Sequence, residues 1–286
     1  MNKKFAFITV LAAFALMCFL IFYWIEYEKE VEIENIKKFL DFQTQILNKN
    51  IEEEKLSAMT VAVLLSESEN IKKCFLEDNR THCMHTLHDF THMLEKVPTF
   101  KNVRFHLHTP ELKSFARSWI PIYNDNLSSF RFMLKEAKKG VVAGIETGRA
   151  GALIRSVAPV FKDNKILGSV EVLLDFGHLS EFFLDQGVDL FVLLDKSSSS
   201  PYQTEEESGI IQNYHLINKE YANLNVLPIL KDIDFKDNQF YKFDNHNFAI
   251  KPMIDSQNKR IGYFVIYFNS NQKERNLSKL NIWFKN

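Results

Sequence analysis

The chain has 286 residues, a formal net charge of −1, and 25% of its residues are charged. This length allows one or two domains with hydrophobic cores of ordinary size. Lysine and acidic residues are spread along the chain, so the charge pattern favours neither a nucleic-acid-binding protein nor a protein that binds membrane surfaces.

The first predicted element is an apolar segment. Between Phe5 and Trp24 nothing is more polar than Thr9. A helix over this segment can span a hydrocarbon core of about 30 Å, at a rise of about 1.5 Å per residue. A cleavable signal peptide has a shorter apolar core and small residues at its cleavage site, which this segment lacks. Residues 1–24 are therefore predicted to be a cytoplasmic tip and an uncleaved transmembrane signal anchor.

The charges that flank this segment predict its orientation. Lys3 and Lys4 precede it, and five glutamates follow it at alternate positions from Glu26 to Glu34. The positive-inside rule then leaves the N-terminus in the cytoplasm. We expect a single-pass protein of the inner (cell) membrane whose remaining residues are periplasmic, or extracytoplasmic.

A long helix is predicted after the membrane segment. Residues 25–69 contain no proline or glycine, and apolar residues recur along them with helical spacing. Two roles remain open for this stalk helix: it is a structural stalk and core element only, or it also transmits a signal.

Two cysteines outside the membrane segment raise the question of a disulfide. Cys74 and Cys83 are both predicted to be exported, and an oxidising periplasm allows a bridge. On one continuous helix they would lie too far apart to be joined. Asp78 and Asn79 between them favour a turn, so the disulfide stays open as a prediction.

Histidines recur on one predicted helical face. His85, His88 and His92 have the spacing of a single face, with His82 and Cys83 nearby. This arrangement is compatible with zinc or nickel ligation. No motif of carboxylate plus histidine accompanies it, so we interpret it as a partly solvated face and predict no metal site.

The rest of the chain predicts an α+β fold. Strand-like patterns cover residues 102–107, 113–120, 141–146, 152–161, 166–174, 189–195, 239–243, 246–253 and 260–269. A helix is predicted from Asn126 to Lys139, with Ser128 and Ser129 in its opening turn, and a shorter one from Leu179 to Leu184. Hairpin turns are predicted at Asp163-Asn164 and at 255–258, and the Ser-rich segment 196–209 is predicted to be an exposed loop.

Four arginines lie close together in the most informative segment, from Phe105 to Phe161: Arg117, Arg131, Arg149 and Arg155. Arg117 and Trp119 are two residues apart, so on a strand both side chains point to the same face. A guanidinium beside an indole can bind a carboxylate while the ring supplies an apolar wall.

Glycines in the same segment predict a turn. Gly144, Gly148 and Gly151 punctuate it, and glycine permits the backbone conformations of tight turns. Such a turn returns Glu146 and Arg149 toward Arg117.

This segment resembles the double Cache sensory domains of bacterial chemoreceptors and sensor histidine kinases. The resemblance is specific over about sixty residues and looser from about 26 to 270. It departs at Arg155-Ser156, where such domains often have Arg-Gly. The residues that carry it are Phe115, Arg117, Trp119, Pro121, Asp125, Leu127, Ser128, Ser129, Phe130, Arg131, Gly144, Ile145, Glu146, Gly148, Arg149, Gly151, Arg155, Pro159 and Val160.

The resemblance implies a layout and a pocket. Two PAS-like antiparallel subdomains follow the long N-terminal helix: a membrane-distal ligand-binding unit at 70–186 and a membrane-proximal unit at 187–272, before a tail at 273–286. The implied ligand-binding residues are His106, Arg117, Trp119, Arg131, Glu146, Arg149 and Arg155.

The charge of that pocket predicts the ligand. Glu146 and Asp125 are the only carboxylates that this interpretation places beside the four arginines, so we expect a small anion, and a short carboxylate in particular. Internal salt bridges between these same residues are the structural alternative. No cofactor is predicted.

The sequence thus favours a sensor for chemotaxis or two-component signalling. Enzymatic activity is not expected, because no nucleophile elbow, zincin, P-loop or dinucleotide motif is present. A homodimer along residues 25–69 is expected, and so is a separate partner with a cytoplasmic output domain, because the last fifteen residues cannot span a bilayer. The alternative is an anchored, dimerising interaction protein with a vestigial pocket.

Overall fold

The computed structural model describes residues 3–198 and 209–271. It begins with one continuous helix, α1 (Lys3–Glu67). The N-terminal part of this helix is long and apolar enough to cross a membrane, and from Phe7 to Trp24 its side chains are exposed. The predicted membrane segment and stalk therefore form a single helix.

Two shorter helices follow α1. They are α2 (Glu69–Glu77) and α3 (Arg80–Leu94), joined at Asp78, whose φ of 47° is in the left-handed region. The Asn79 side chain caps α3 by accepting a hydrogen bond from the backbone N–H of His82 at 3.0 Å. The predicted turn between the two cysteines is confirmed.

The first sheet has five antiparallel strands in the order β2-β1-β5-β4-β3. A short helix α4 (Phe132–Glu136) lies between β2 and β3 in the chain. The strands are β1 (Arg104–His108), β2 (Ser114–Arg117), β3 (Val142–Gly148), β4 (Gly151–Lys162) and β5 (Lys165–Leu174).

Alternation along these strands gives the first sheet two different faces. One face is apolar, with Phe105, Leu107 and Val172 in the same buried cluster as residues of α1, α2 and α3. The other face carries charged and polar side chains. We call it the polar face and define it by Arg104, His106, His108, Arg117, Glu146, Arg155, Ser169 and Glu171.

Helix α5 (Gly177–Asp185) leads into the second sheet, which has six antiparallel strands in the order β7-β8-β6-β11-β10-β9. A short helix α6 (Leu227–Leu230) also belongs to this part of the chain. The strands are β6 (Asp189–Asp195), β7 (Ile210–Ile211), β8 (Tyr214–Leu216), β9 (Gln239–Phe243), β10 (His246–Ile254) and β11 (Arg260–Asn269).

Helix α1 packs against both sheets. Phe39 contacts Phe268 of β11, with ring centroids 5.3 Å apart, and the helix also runs along β4 and β5. Ile36, Leu40, Leu47 and Ala58 belong to one continuous core with both sheets. The prediction of an α+β fold with a long N-terminal helix and two antiparallel sheets is confirmed.

The predicted helix from Asn126 to Lys139 is wrong over most of its length, because only α4 is helical there. Asn126 instead forms a bridge with Lys113, and its side chain accepts a hydrogen bond from the Ser128 N–H at 2.9 Å. Asparagine and serine readily make such local bonds in place of a helix. The predicted strand at 113–120 likewise ends at Arg117. Most of the predicted loop at 196–209 and nearly all of the tail lie outside the described residues.

Candidate functional site

The polar face of the first sheet is organised around three directly paired residues. His106 of β1 lies opposite Arg117 of β2 on one side and opposite Glu171 of β5 on the other. His106, Arg117 and Glu171 are each at most 3% exposed. Charged groups this deeply buried need partners, because an unpaired charge is costly to remove from water.

Glu171 binds two arginines through Oε1, and Arg131 Nη1 also donates to its Oε2 at 3.4 Å. Its Oε1 accepts hydrogen bonds from Arg131 and, at 3.1 Å, from Nη1 of Arg155. Arg131 also donates from Nε to Glu146 Oε2 at 2.7 Å, and the Arg155 Nε donates to the Glu146 backbone carbonyl at 2.9 Å. These four residues form a connected set of two cations and two anions.

The network shifts the pKa of its members. Burial alone would raise the pKa of Glu171, but Arg131 and Arg155 hold that pKa well below its usual range. Burial and the neighbouring Arg131 lower the pKa of Arg155 to about 10. Burial also works against the charge of Arg131, but Glu171 and Glu146 outweigh it and raise its pKa. Glu171, Arg131 and Arg155 are therefore charged at neutral pH.

Two buried histidines of β1 face the same carboxylate. His106 Nε2 is 2.8 Å from the Ser114 hydroxyl, and His108 Nδ1 is 3.1 Å from the Ser169 hydroxyl. The opposite ring nitrogens point toward Glu171 Oε2. Burial lowers the pKa of both histidines, so both rings are neutral at pH 7.

Asp125 joins two further arginines at the edge of the polar face. Arg117 binds its carboxylate bidentately, at 2.7 and 2.9 Å, and donates to the Ile122 carbonyl at 2.6 Å. Arg149, from the turn between β3 and β4, lies 2.9 Å from the same carboxylate. The prediction that this turn returns Arg149 toward Arg117 is confirmed.

A groove of about 960 Å³ opens beside this edge. Its walls come from α3, the β3–β4 turn and residues 217–221. The groove therefore lies between the first sheet and the segment that follows β8 of the second sheet. Trp119 lines it, with its ring edge-on to His106 at 5.8 Å between centroids. Arg104 and Arg149 also line it, and the Arg104 guanidinium lies 5.9 Å from the Trp119 ring centroid.

The seven predicted site residues fall into two groups. His106, Arg117, Arg131, Glu146 and Arg155 are buried and engaged with other side chains or backbone groups. Trp119 and Arg149 reach the groove.

The predicted shortage of carboxylates was overstated, because the sequence interpretation omitted Glu171. The cluster also includes Arg104 and His108, which were not identified. Both share the alternation of His106 along β1, and this signal could have found them.

One of the glycines is explained by the network. A Cβ at Gly148 would lie 2.7 Å from Nη2 of Arg155, so glycine leaves the space that this guanidinium fills. Gly151, with φ of 88°, closes the β3–β4 hairpin, as predicted for a turn glycine.

The remaining candidate residues lie on α3 and its neighbour α2. His85, His88 and His92 are on the helix and exposed, in agreement with a solvated face. Cys74 and Cys83 are buried, unbridged and in contact, and the hydrogen bond with Cys74 raises the pKa of Cys83. The disulfide stays a prediction.

Solved structures of moderate likeness were found by comparison. A domain of a sensory box/GGDEF family protein from Vibrio parahaemolyticus has a TM-score of 0.49 and 13% identity, covering 84% of this chain and 98% of that chain. The V. cholerae histidine kinase DctB sensor domain has a TM-score of 0.45 and 12% identity, covering 81% and 98%. The ligand-binding domain of the Campylobacter jejuni chemoreceptor Tlp3, in complex with L-valine, has a TM-score of 0.39 and 14% identity, covering 83% and 95%.

A comparison with curated proteins finds no significant match. The model of one protein family matches residues 33–271, a range that includes both sheets and most of α1 outside the apolar segment. That family is described as the double sensory domain of two-component sensor kinases. The chain therefore belongs to the dCache_3 family of double sensory domains, as the resemblance in its arginine-rich segment implied.

Proposed function

We propose that this chain is a membrane-anchored, extracytoplasmic sensor whose groove binds a small anionic ligand, with a short carboxylate as the ligand class. The observation that carries this proposal is the position of Arg104. Its guanidinium lies against Trp119 at the groove, and in residues 3–198 and 209–271 no carboxylate lies within 4 Å of it. A guanidinium so placed can bind a carboxylate bidentately, with the indole as the apolar wall.

The groove itself is lined by Glu95, Asp175 and Glu220 as well as by Arg104, Arg149 and Lys219, so the anion is supported by the position of Arg104 and by the buried network beside it, not by the charge of the whole groove. Four guanidinium groups, of Arg117, Arg131, Arg149 and Arg155, face the three carboxylates of Asp125, Glu146 and Glu171. Arg104 adds a further cation at the mouth of the same region. In this proposal Trp119, Arg104 and Arg149 contact the ligand, while the buried residues hold the strands and the turn in register.

Ligand binding is tested with the full-length protein in detergent. Thermal shift and calorimetry are measured with short mono- and dicarboxylates, amino acids and inorganic anions. We expect a saturable stabilisation by at least one carboxylate, because a ligand that binds only the folded state raises its stability. Arg104→Ala should weaken that binding by at least about tenfold, since a hydrogen bond to a charged group contributes about 1.5–3 kcal/mol.

Arg260→Ala is the matched control, because Arg260 is an exposed arginine of the second sheet that pairs with Asp237. It should leave the affinity unchanged. Equal affinity in the wild type and Arg104→Ala would show that Arg104 does not contact the ligand. If no anion binds to the wild-type protein, the proposal of an anion sensor is wrong.

The membrane arrangement is the second part of the proposal. The apolar start of α1 crosses the inner membrane once, with Lys3 and Lys4 on the cytoplasmic side and both sheets outside. The first sheet is the membrane-distal unit and the second sheet is the proximal one. The family's link to two-component sensor kinases supports a separate signalling partner with a cytoplasmic output domain.

Exposed apolar residues on α1 support a homodimer along this helix. Phe42, Leu56 and Val63 are at least 36% exposed and are separated by multiples of seven residues, the repeat of a helix–helix seam. Leu56→Glu should shift the detergent-solubilised protein toward the monomer in sedimentation experiments. Leu76→Glu, at an exposed leucine of α2, should not. A wild-type protein that is monomeric at all concentrations would contradict the dimer.

The rival function is an anchored interaction protein with a vestigial pocket. It is favoured by the five predicted site residues that already have partners within the chain. Dimers that persist while no anion or amino acid changes the melting temperature would support it.

A further inference from the structure

The second carboxylate oxygen of Glu171 meets two imidazole nitrogens. Glu171 Oε1 binds Arg131 and Arg155, whereas Oε2 lies 3.5 Å from His106 Nδ1 and 3.3 Å from His108 Nε2, with Arg131 Nη1 at 3.4 Å. The two histidines alternate along β1, and Glu171 is the direct partner of His106 on β5. The sheet register therefore gathers two nitrogens and one oxygen within 4.8 Å of one another.

Glu171 Oε2 faces His106 Nδ1 and His108 Nε2 at distances longer than an ordinary hydrogen bond to a carboxylate. His108 is fully buried, and within the described residues its Nε2 has no hydrogen-bond partner. A buried polar atom without a partner destabilises the folded state. Because this unpaired nitrogen faces a carboxylate oxygen, it indicates that a bound ligand contacts both atoms.

The neutral His106 ring can present a lone pair to a metal ion. Ser114 Oγ lies 2.8 Å from His106 Nε2 and 3.4 Å from the Ile122 carbonyl. When the serine donates its single hydrogen to that carbonyl, its oxygen accepts the Nε2–H of His106, and the lone pair is on Nδ1, toward Glu171 Oε2.

The spacing of the donors matches that around a small divalent metal. Zinc binds histidine nitrogen and carboxylate oxygen at about 2.0–2.2 Å, so neighbouring donors of a tetrahedral site lie about 3.3–3.5 Å apart. The two distances from Glu171 Oε2 are 3.3 and 3.5 Å. Nitrogen and oxygen donors in this ratio suit first-row divalent transition metals.

The surroundings resemble the outer shell of a metal site. Ser114 and Ser169 each lie against the far nitrogen of one imidazole. Arg131 and Arg155 hold the far oxygen of the carboxylate, and Arg131 also reaches Oε2 at 3.4 Å. The same arginines reduce the attraction for a dication, so we expect an affinity in the micromolar range, about −8 kcal/mol, and no tighter. Half-buried Trp119 lies between His106 and the groove and marks the route of entry.

We propose that His106, His108 and Glu171 form a binding site for one divalent first-row transition-metal ion of the zinc type. This site lies on the polar face beneath Trp119, and it does not depend on the proposed anion.

The test uses full-length protein in detergent, purified without a histidine tag and stripped with chelator. Zn²⁺ is titrated by calorimetry, and Co²⁺ by its visible absorption bands. We expect one equivalent bound, a raised melting temperature and a Co²⁺ spectrum typical of nitrogen and oxygen ligands. His108→Gln should weaken binding by at least about 100-fold, since a direct ligand is lost and loss of an outer-shell partner alone costs about 10–100-fold.

The double variant His88→Ala/His92→Ala is the control, because these exposed rings, 5.8 Å apart on α3, are the competing surface site. It should bind as the wild type does. Loss of binding in this control with retention in His108→Gln would overturn the proposal, as would the absence of stoichiometric binding in the wild type.

A second variant keeps the test decisive if His108→Gln does not fold. Ser169→Ala removes only the hydroxyl that holds His108. It should weaken Zn²⁺ binding by about tenfold and alter the Co²⁺ spectrum. An unchanged affinity and spectrum in Ser169→Ala would count against the site.

Discussion

The two sheets share a long helix but differ in their other faces. The first sheet covers a network of buried charges around Glu171. The second sheet has an apolar core in the same position, in which Tyr214, Phe235 and Tyr263 pack ring against ring. A buried charge network is weak evidence for stability, because hydrophobic packing performs that role as well or better. The contrast indicates that the buried charges of the first sheet have a role other than stability.

The largest expected effect comes from comparing one conservative substitution on each sheet. Glu171→Gln preserves shape but leaves Arg131 and Arg155 without their shared anion, so it should lower the free energy of unfolding by about 3–5 kcal/mol. Tyr267→Phe on the second sheet removes one hydrogen bond, of 2.8 Å to His246, and should cost about 1 kcal/mol.

Urea unfolding of the detergent-solubilised proteins measures both changes. Equal losses in the two variants would show that the buried charges are no more critical than an ordinary hydroxyl. In that case the contrast between the sheets would be one of composition only.

The cysteines predict an intermediate effect that is confined to the first sheet. Cys74 and Cys83 are in contact on α2 and α3, which cover the apolar face of that sheet, and the second sheet contains no cysteine. If the exported protein forms the bridge, closing this short loop should stabilise it by about 2–3 kcal/mol. Mass spectrometry of the alkylated protein detects the bond.

Hydrogen exchange then locates the effect. Protection should increase in residues 69–94 on oxidation and stay unchanged in β10 and β11. Free thiols in protein isolated under oxidising conditions would contradict the bridge, and Cys18, in the apolar segment, should remain unbridged.

The smallest expected effect concerns two ion pairs that join α1 to the rest of the chain, one near each sheet. His178 of α5 lies 2.8 Å from Glu54 of α1, whereas Lys242 of β9 pairs with Glu32 at 3.4 Å in solvent. The hydrogen bond to Glu54 raises the pKa of His178, and burial raises the pKa of Glu54.

A raised histidine pKa means that the folded state holds the proton more tightly. The stabilisation is therefore complete below the unfolded value of about 6.5 and is lost as pH rises through the folded pKa. The change should stay below about 1 kcal/mol, because His178 is about one-third exposed. His178→Asn should weaken the pH dependence of the urea unfolding midpoint between pH 6 and 8, and Lys242→Ala should leave that dependence unchanged. A steeper dependence in His178→Asn would reverse the assignment.

Much of the fold could be predicted from sequence because alternation and apolar length are local signals. The hairpin at Asp163 and Asn164 and the long strands on either side are present as predicted. The helix at 126–139 failed because side-chain bonds made by Asn126 compete with helical ones, and composition alone does not decide that competition.

The candidate site was predictable only in part. Its arginines were conspicuous as a group, and Asp125 and Glu146 lie near them in sequence. Glu171 lies in an apolar strand pattern, and only the antiparallel register of β1 and β5 places it opposite His106. Contacts made across a sheet depend on register, which a single sequence does not specify for strands so far apart.

The uninterrupted length of α1 has a mechanical consequence. Its 65 residues contain no proline or glycine, and at about 1.5 Å per residue they form a rod of roughly 98 Å. Both sheets are fastened to this rod, and its far end is the apolar segment. Because the helix has no proline or glycine at which a sharp kink would form, a displacement of it beside the first sheet is expected to reach the apolar end with little loss to local bending.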